Sequence, residues 1–175
     1  MHPIEIESAL ETMRILVDTR EHPGRKFTKR MKQTELPYSR TKLDFGDYSA
    51  DCKMGGMTVT LEDSVAIERK MDGNELAQCF THERERFKAE FERAKAKGAR
   101  IYLLLENENF EKLYKGAYGD SEKFRSKMHP ASFMGSLYSF MAEYGTIPIL
   151  CREETSGRVI RDILYYELRE RLRHG

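Results

Sequence analysis

Cysteine is scarce in this chain. Three residues, Cys52, Cys79 and Cys151, lie far apart and are odd in number. With no CxxC and no Cys/His cluster, neither a disulfide framework nor a structural zinc site has its ligands, and reduced, buried thiols are expected. Long apolar runs are missing too: none approaches the ~20 residues of a membrane-spanning helix. The opening Met1-His2-Pro3-Ile4-Glu5 has no apolar stretch of a secretory leader. A soluble, cytoplasmic protein is expected, or a nuclear one in a eukaryote. Charge of one sign is not in excess either. The net charge is +1, from 30 Lys and Arg against 29 Asp and Glu. That argues against a general polycationic coat but leaves room for a local basic patch. No GxxxxGK phosphate loop exists, and Gly55-Gly56 reads as a turn. No serine or cysteine has the His/Asp company that a nucleophile needs. His82 and His129 sit in polar stretches and read as surface residues. No internal repeat or low-complexity tract appears.

What the chain does have is enough apolar content for a core. Hydrophobic residues make up 39% of its 175 positions, and charged residues 34%. One domain over 1–175 is expected, with an arm or short helix at 1–12, a core over 13–150 and a final helix over 154–173. Residues 13–17 are a β-type run that stops at Asp18-Thr19-Arg20-Glu21, before His22-Pro23-Gly24. Residues 24–42 hold seven bases (Arg25, Lys26, Lys29, Arg30, Lys32, Arg40 and Lys42) against one acid, Glu35. Part of this segment reads as helix, ended by Pro37. Its bases form either a solvated face or a phosphate-contacting surface.

Residues 43–70 read as a meander of three strands, turning at Gly55-Gly56 and at 62–64. A single long helix over 74–97 follows, capped by Gly73 or Asn74 and ended at Lys97-Gly98. Residues 99–106 form a nearly continuous apolar strand, as expected for one covered on both faces. A short helix near 110–114 precedes a looser stretch with Gly116, Gly119 and Asp120. A helix opened by Pro130 and closed by Gly145, a short edge strand at 147–151 and the last helix complete the chain. A local meander followed by β-α-β crossovers implies an α/β fold, a mixed central sheet flanked by helices.

The strand at 65–70 ends in Glu68-Arg69-Lys70, three charges where a core strand ordinarily ends apolar. Side chains two apart share a face, so Glu68 and Lys70 project together and Arg69 opposite. Alone, this is a solvated strand end with an ion pair. Asp18 with Glu21, and Asp47, also fall at strand ends. A hard divalent cation takes oxygen ligands, and phosphodiester hydrolysis needs an activated water and charge stabilisation on the phosphoryl oxygens. The residue types suit that chemistry.

Val17-Asp18-Thr19-Arg20-Glu21, Gly46-Asp47 and Glu68-Arg69-Lys70, in this order, resemble the XPF-type structure-specific endonuclease signature, VDxRE followed by GDx(n)ERKx(3)D. The resemblance covers roughly residues 13–150. It implies a restriction-endonuclease-like fold of the PD-(D/E)xK class and a Mg²⁺- or Mn²⁺-dependent endonuclease acting on branched or flapped DNA, leaving a 5′-phosphate and a 3′-hydroxyl. It implies that Asp47 and Glu68 ligate the metal with the backbone carbonyl of Arg69, and that Asp18 and Glu21 complete the acidic site. Lys70 would act on the attacking water, and Arg20 and Arg69 would tie the site together. Two departures stand out. The position where the family has its last aspartate is Asn74, with Asp72 and Glu75 nearby. No helix-hairpin-helix module follows, so DNA grip would come from residues 25–42, a homodimer or a partner protein. The alternative is a non-catalytic DNA-binding or scaffold subunit; such members typically lose the acids that this chain keeps.

Overall fold

The computed structural model describes residues 2–119 and 125–174; the expected loosening at Asp120 falls outside them. Helix α1 (Pro3–Leu10) is closed at its start by a capping box of His2 and Glu5, and it buries Ile6, Ala9 and Leu10. Strand β1 (Arg14–Asp18) follows. The basic segment then folds into α2 (Arg25–Thr34), whose last turn ends at Glu35 in the left-handed region, φ 56°. Past Pro37 the chain forms β2 (Tyr38–Thr41), a short edge strand.

Strands β3 (Tyr48–Met54) and β4 (Met57–Thr60) form a hairpin through Gly55 and Gly56, both at positive φ. Strand β5 (Val65–Lys70) does not continue from β4. The expected three-strand meander is therefore replaced by a branch. β4 pairs with the distal half of β3, at Asp51–Met54, and β5 pairs with its first residue, Tyr48 opposite Ile67. The turn at 62–64 is what lets the chain leave one partner and rejoin the same strand lower down.

The expected long helix is two. α3 (Gly73–Phe80) is capped by Asp72, whose side chain accepts from the amide of Glu75, rather than by Gly73 or Asn74. The break falls at Thr81–Glu83, where the Thr81 hydroxyl back-bonds to the Ala77 and Gln78 carbonyls. α4 (Arg84–Ala96) then runs to a stop at Gly98, φ +66°. Strand β6 (Arg100–Glu106), α5 (Phe110–Tyr114), α6 (Pro130–Tyr144), β7 (Ile147–Cys151) and α7 (Ser156–His174) complete the described chain. None of its helices is long and apolar enough to cross a membrane.

The sheet order is β2-β1-β3-β5-β6-β7, with β4 beside β3. β3 runs antiparallel to β1, β4 and β5, and the other pairs are parallel. It is thus the one reversed strand among those described. The carboxyl ends of β1, β5 and β6 consequently share an edge with the start of β3. Two cores cover the sheet. On one face, Ile15, Val17, Tyr48, Ile67 and Leu104 pack with α1, α2 and α7. On the other, Ala66, Leu103 and Leu105 pack with α3, α4 and α6, where Phe80, Phe87, Phe91, Phe133 and Phe140 make a run of edge and stacked ring contacts. Helices α2 and α7 meet closely: a Cβ on Gly157 would lie 2.3 Å from the Arg30 carbonyl oxygen.

Candidate active site

Strand alternation sorts the charged motif residues onto two faces. Ile15 and Val17 face the α2/α7 core, so Asp18 faces α4. Ile67 faces α2/α7, so Glu68 and Lys70 face α4 and Arg69 faces α2. Asp47, one residue ahead of inward-facing Tyr48, falls on the α4 side.

On that side Asp47 is partly exposed, while Glu68 and Lys70 are buried. The backbone amide of Arg69 donates to Asp47 Oδ2 at 2.8 Å, and the amide of Asp47 donates to the Ile67 carbonyl at 2.8 Å. Asp47 is thereby locked to β5 next to Glu68. Lys70 Nζ donates to Glu68 Oε1 at 2.6 Å and lies 5.1 Å from the centre of the Phe87 ring. Burial, then the negative charge of Asp47, push the Glu68 carboxyl well above the usual range, against the pull of Lys70. The Lys70 ammonium is held above its ordinary value because Glu68 and Asp47 outweigh its own desolvation.

Gly46 explains how the two strands come this close. Its φ is +72°, and a Cβ there would sit 2.6 Å from that of Ala66. Only glycine fits both the left-handed backbone and the contact.

Asp18 is fully buried and its carboxylate is already engaged. Oδ1 accepts from the backbone amide and the Nε of Arg20, at 2.7 and 2.6 Å, and Oδ2 accepts from the Leu43 amide at 2.7 Å. It ties the loop after β1 to the segment before β3.

Glu21 and Arg69 lie on the opposite face, in a buried network the sequence did not announce. Its centre is Glu106, the last residue of β6, with no exposed surface. Glu106 accepts from Arg30 Nε at 3.1 Å and from Arg69 Nη1 at 3.0 Å. Arg30 Nη1 also donates to Glu21 Oε1 at 3.2 Å and to Tyr48 Oη at 3.1 Å, and Tyr48 donates to Glu21 at 2.9 Å. Burial alone would raise the Glu106 carboxyl, but the two guanidiniums hold it below the usual range. The placement of Glu21 in the acidic site is thus corrected: it faces two arginines across the sheet.

Arg30 is the second correction. Of the seven bases read as nucleic-acid contacts, Arg25, Lys26, Lys29, Lys32, Arg40 and Lys42 are exposed, and Arg30 is 2% exposed. On α2 it falls on the side of Phe27 and Met31, which the core claims, and the carboxylates of Glu21 and Glu106 neutralise it there. Arg40 reaches back to the carbonyls of Thr19 and Glu21 and so braces the loop after β1.

Asn74 is not a cap. Its Nδ2 donates to the Tyr118 carbonyl and its Oδ1 accepts from the Ser126 amide, both at 2.7 Å. It staples α3 to the segments that flank residues 120–124.

Among the described residues, no group of three or more His, Cys, Asp and Glu side chains is arranged to hold a metal ion. Asp47 and Glu68 do fit a smaller demand. Among the described residues, the hydrogen bonds of these two side chains use Asp47 Oδ2 and Glu68 Oε1, and Mg²⁺ is often held by one or two carboxylates while keeping several waters. The donor set is all oxygen, as a hard cation requires.

A mixed sheet with carboxylates and a lysine gathered where a reversed strand meets the end of its neighbour defines an α/β fold of the XPF nuclease-like class. The match to that class is specific: residues 17–160 match the ERCC4 domain, and the chain belongs to that family. ERCC4 domains are typically nucleases and usually metal-dependent. No curated protein matches the sequence. Solved structures that share the fold include two of an archaeal XPF. XPF from Aeropyrum pernix is 16% identical with a TM-score of 0.60, over 87% of this chain and 66% of that one. XPF from Aeropyrum pernix in complex with DNA is 15% identical with a TM-score of 0.61, over 90% of this chain and 66% of that one. The chain therefore spans just under two thirds of the length of each.

Proposed function

We propose that this chain is a divalent-metal-dependent DNA endonuclease that hydrolyses phosphodiester bonds in branched or flapped DNA. The observation that carries the reading is the convergence of Asp47, Glu68 and Lys70 on one face at one end of the sheet. Asp47 and Glu68, with the backbone carbonyl of Arg69, would hold Mg²⁺ or Mn²⁺. When bound, the ion would neutralise charge on the scissile phosphate and lower the pKa of a coordinated water.

The rest falls to the chain's own groups. The Arg69 amide fixes Asp47 in one orientation, so the carboxylate needs no reorganisation to bind. Lys70 is a compact charge that holds Glu68 in place and would act on the attacking water. Asp18 and Arg20 keep the loop after β1 closed under Asp47. The exposed bases Arg25, Lys26, Lys29, Lys32, Arg40 and Lys42 supply phosphate contacts that position DNA without reading its sequence. DNA as the partner is supported by the family and by the fold shared with the DNA-bound XPF.

A second reading, a non-catalytic DNA-binding subunit, draws on Asp18: its carboxylate is spent on the loop, which leaves two acids rather than three or more. A cleavage panel of flaps, forks, junctions and duplexes with Mg²⁺ or Mn²⁺ separates the two. Cutting is expected in the wild type and absent in Asp47→Ala and Glu68→Ala, each assayed where circular dichroism and the unfolding transition show it to be folded. Full activity in Glu68→Ala would sink the assignment, and binding without cutting in the wild type would favour the second reading.

A further inference from the structure

Glu90 belongs to none of the three motifs and lies far from them in sequence. It projects from α4, the helix that covers the acidic face, and its side chain is 13% exposed. Glu90 Oε1 accepts from the backbone amide of Gly46 at 2.8 Å and lies 3.5 Å from Arg20 Nη2. Arg20 in turn donates Nε to Asp18. One carboxylate thus joins the ends of two motifs, the Arg20 of VDTRE and the glycine of GD, to a helix that no motif contains. Glu90 is also among the negative charges that bear on Glu68, after burial and Asp47.

The geometry points to Glu90 as a positioning residue for the metal-binding carboxylate of Asp47, an inference that rests on the nuclease reading above. Gly46 precedes Asp47 and sits at φ +72°, a region with no Cβ to restrain it. Its amide is a donor that must be satisfied where it is buried, and Glu90 satisfies it with a charged acceptor, the stronger kind. The amide of Asp47 itself is spent on the Ile67 carbonyl, and its carboxylate is oriented by the Arg69 amide. Glu90 fixes the residue before it, and so the direction from which Asp47 leaves the turn. A displacement of about 1 Å at such a site is enough to lower activity about a hundredfold. The role needs an acceptor oxygen first and the charge second, so glutamine, which keeps the oxygen, should largely preserve it.

The test compares wild type, Glu90→Ala, Glu90→Gln and Glu68→Ala in three measurements. These are amide hydrogen exchange of Gly46 without metal, Mn²⁺ affinity by titration calorimetry without DNA, and melting temperature. Glu90→Ala is expected to speed Gly46 exchange at least about tenfold while amides of β6 stay protected. It should also weaken Mn²⁺ binding by at least about fivefold, a change of about 1 kcal/mol. Glu90→Gln should restore Gly46 protection and most of the Mn²⁺ affinity. A merely structural glutamate would lower the melting temperature and leave Mn²⁺ affinity alone. Unchanged Gly46 exchange in Glu90→Ala, unchanged Mn²⁺ affinity there, or failure of Glu90→Gln to rescue overturns the inference. A wild type that binds no Mn²⁺ overturns the nuclease reading instead, and the Gly46 exchange rates then still decide whether Glu90 holds the turn.

Discussion

Replacing Glu106 by glutamine isolates the buried network behind the motif. In the wild type Glu106 accepts from Arg30 at 3.1 Å and from Arg69 at 3.0 Å, with no solvent to share the charge. Glutamine keeps the shape and one acceptor oxygen but removes the negative charge from between two guanidiniums. Breaking a buried pair by removing one partner costs about 3–5 kcal/mol. Arg30 keeps Glu21 and Tyr48, whereas Arg69 keeps only a 3.8 Å approach to Glu21. The loss should therefore fall at the low end, about 3 kcal/mol. That is a large fraction of the ~5–15 kcal/mol that holds a domain folded. With a urea slope of about 2 kcal/mol per molar, the unfolding midpoint should drop by about 1.5 M. The pH dependence provides an internal check. A carboxylate held below its ordinary value contributes stability that is present above the unfolded pKa, about 4.3, and lost as the pH falls through the folded one. The acid side of the wild-type stability curve should therefore be steeper than that of Glu106→Gln. A midpoint shift under about 0.3 M would refute the reasoning, since it would mean the network adds nothing to the fold. So would loss of cleavage at unchanged stability, which would make Glu106 part of the chemistry.

Glu68 carries the opposite sign. Its carboxyl is pushed up to about 8 by burial and by Asp47, so in metal-free protein stability should fall as the pH rises from about 4.3 toward that value. A cation competes with that proton, so Mn²⁺ affinity measured by calorimetry should climb between about pH 6 and about pH 8 and then level off; a flat profile contradicts it. Reversing Arg25, Lys26 and Lys29 to glutamate should weaken fork binding and flatten its logarithmic salt dependence by up to about 3. Unchanged binding in a fluorescence titration would return that face of α2 to plain solvation. Asn74→Asp should not improve the enzyme. It turns an acceptor toward the Tyr118 carbonyl that Nδ2 now satisfies, close to Asp72, and should cost about 1–3 kcal/mol in thermal melting. An unchanged or higher melting temperature would show that this hydrogen bond is not formed.

The strands that carry the motifs were legible because their signals are local. Residues 65–70 alternate apolar side chains and then stop in charge, and period-two alternation alone sent Glu68 and Lys70 one way and Arg69 the other. Gly55-Gly56, Gly98 and Gly145 marked real turns and helix ends. The partners of the charged residues were not legible, because they depend on which strands become neighbours. Glu106 closes an apolar run, and nothing near it in sequence says that Arg30 and Arg69 converge there. Arg30 looks like its basic neighbours until the helix face of Phe27 and Met31 is fixed against the sheet. Glu21 follows Asp18 by three residues, yet the turn between them sends the two acids to opposite faces. Glu90 lies in a helix of alternating charges where no single acid stands out. The break at Thr81–Glu83 lies in a stretch whose apolar period continues across it. Tyr38–Thr41 gave no strand signal because, as an edge strand, it is half exposed and polar.

The branch at β3 separates what builds the site from what merely connects it. Asp47 and Glu68 are set side by side by the pairing of Tyr48 with Ile67 and by the two hydrogen bonds that the Asp47 and Arg69 amides donate around it. The chain between them runs out along β3, turns at Gly55-Gly56 and returns on β4, which pairs only with the far half of β3. Nothing lies within 4 Å of where a Cβ would project at either glycine of that turn. The number of residues between the GD and ERK motifs is thus a free variable of the architecture. Lengthening the hairpin by whole residue pairs, or grafting a reporter peptide into its tip, changes the distance along the chain without changing the distance across the site.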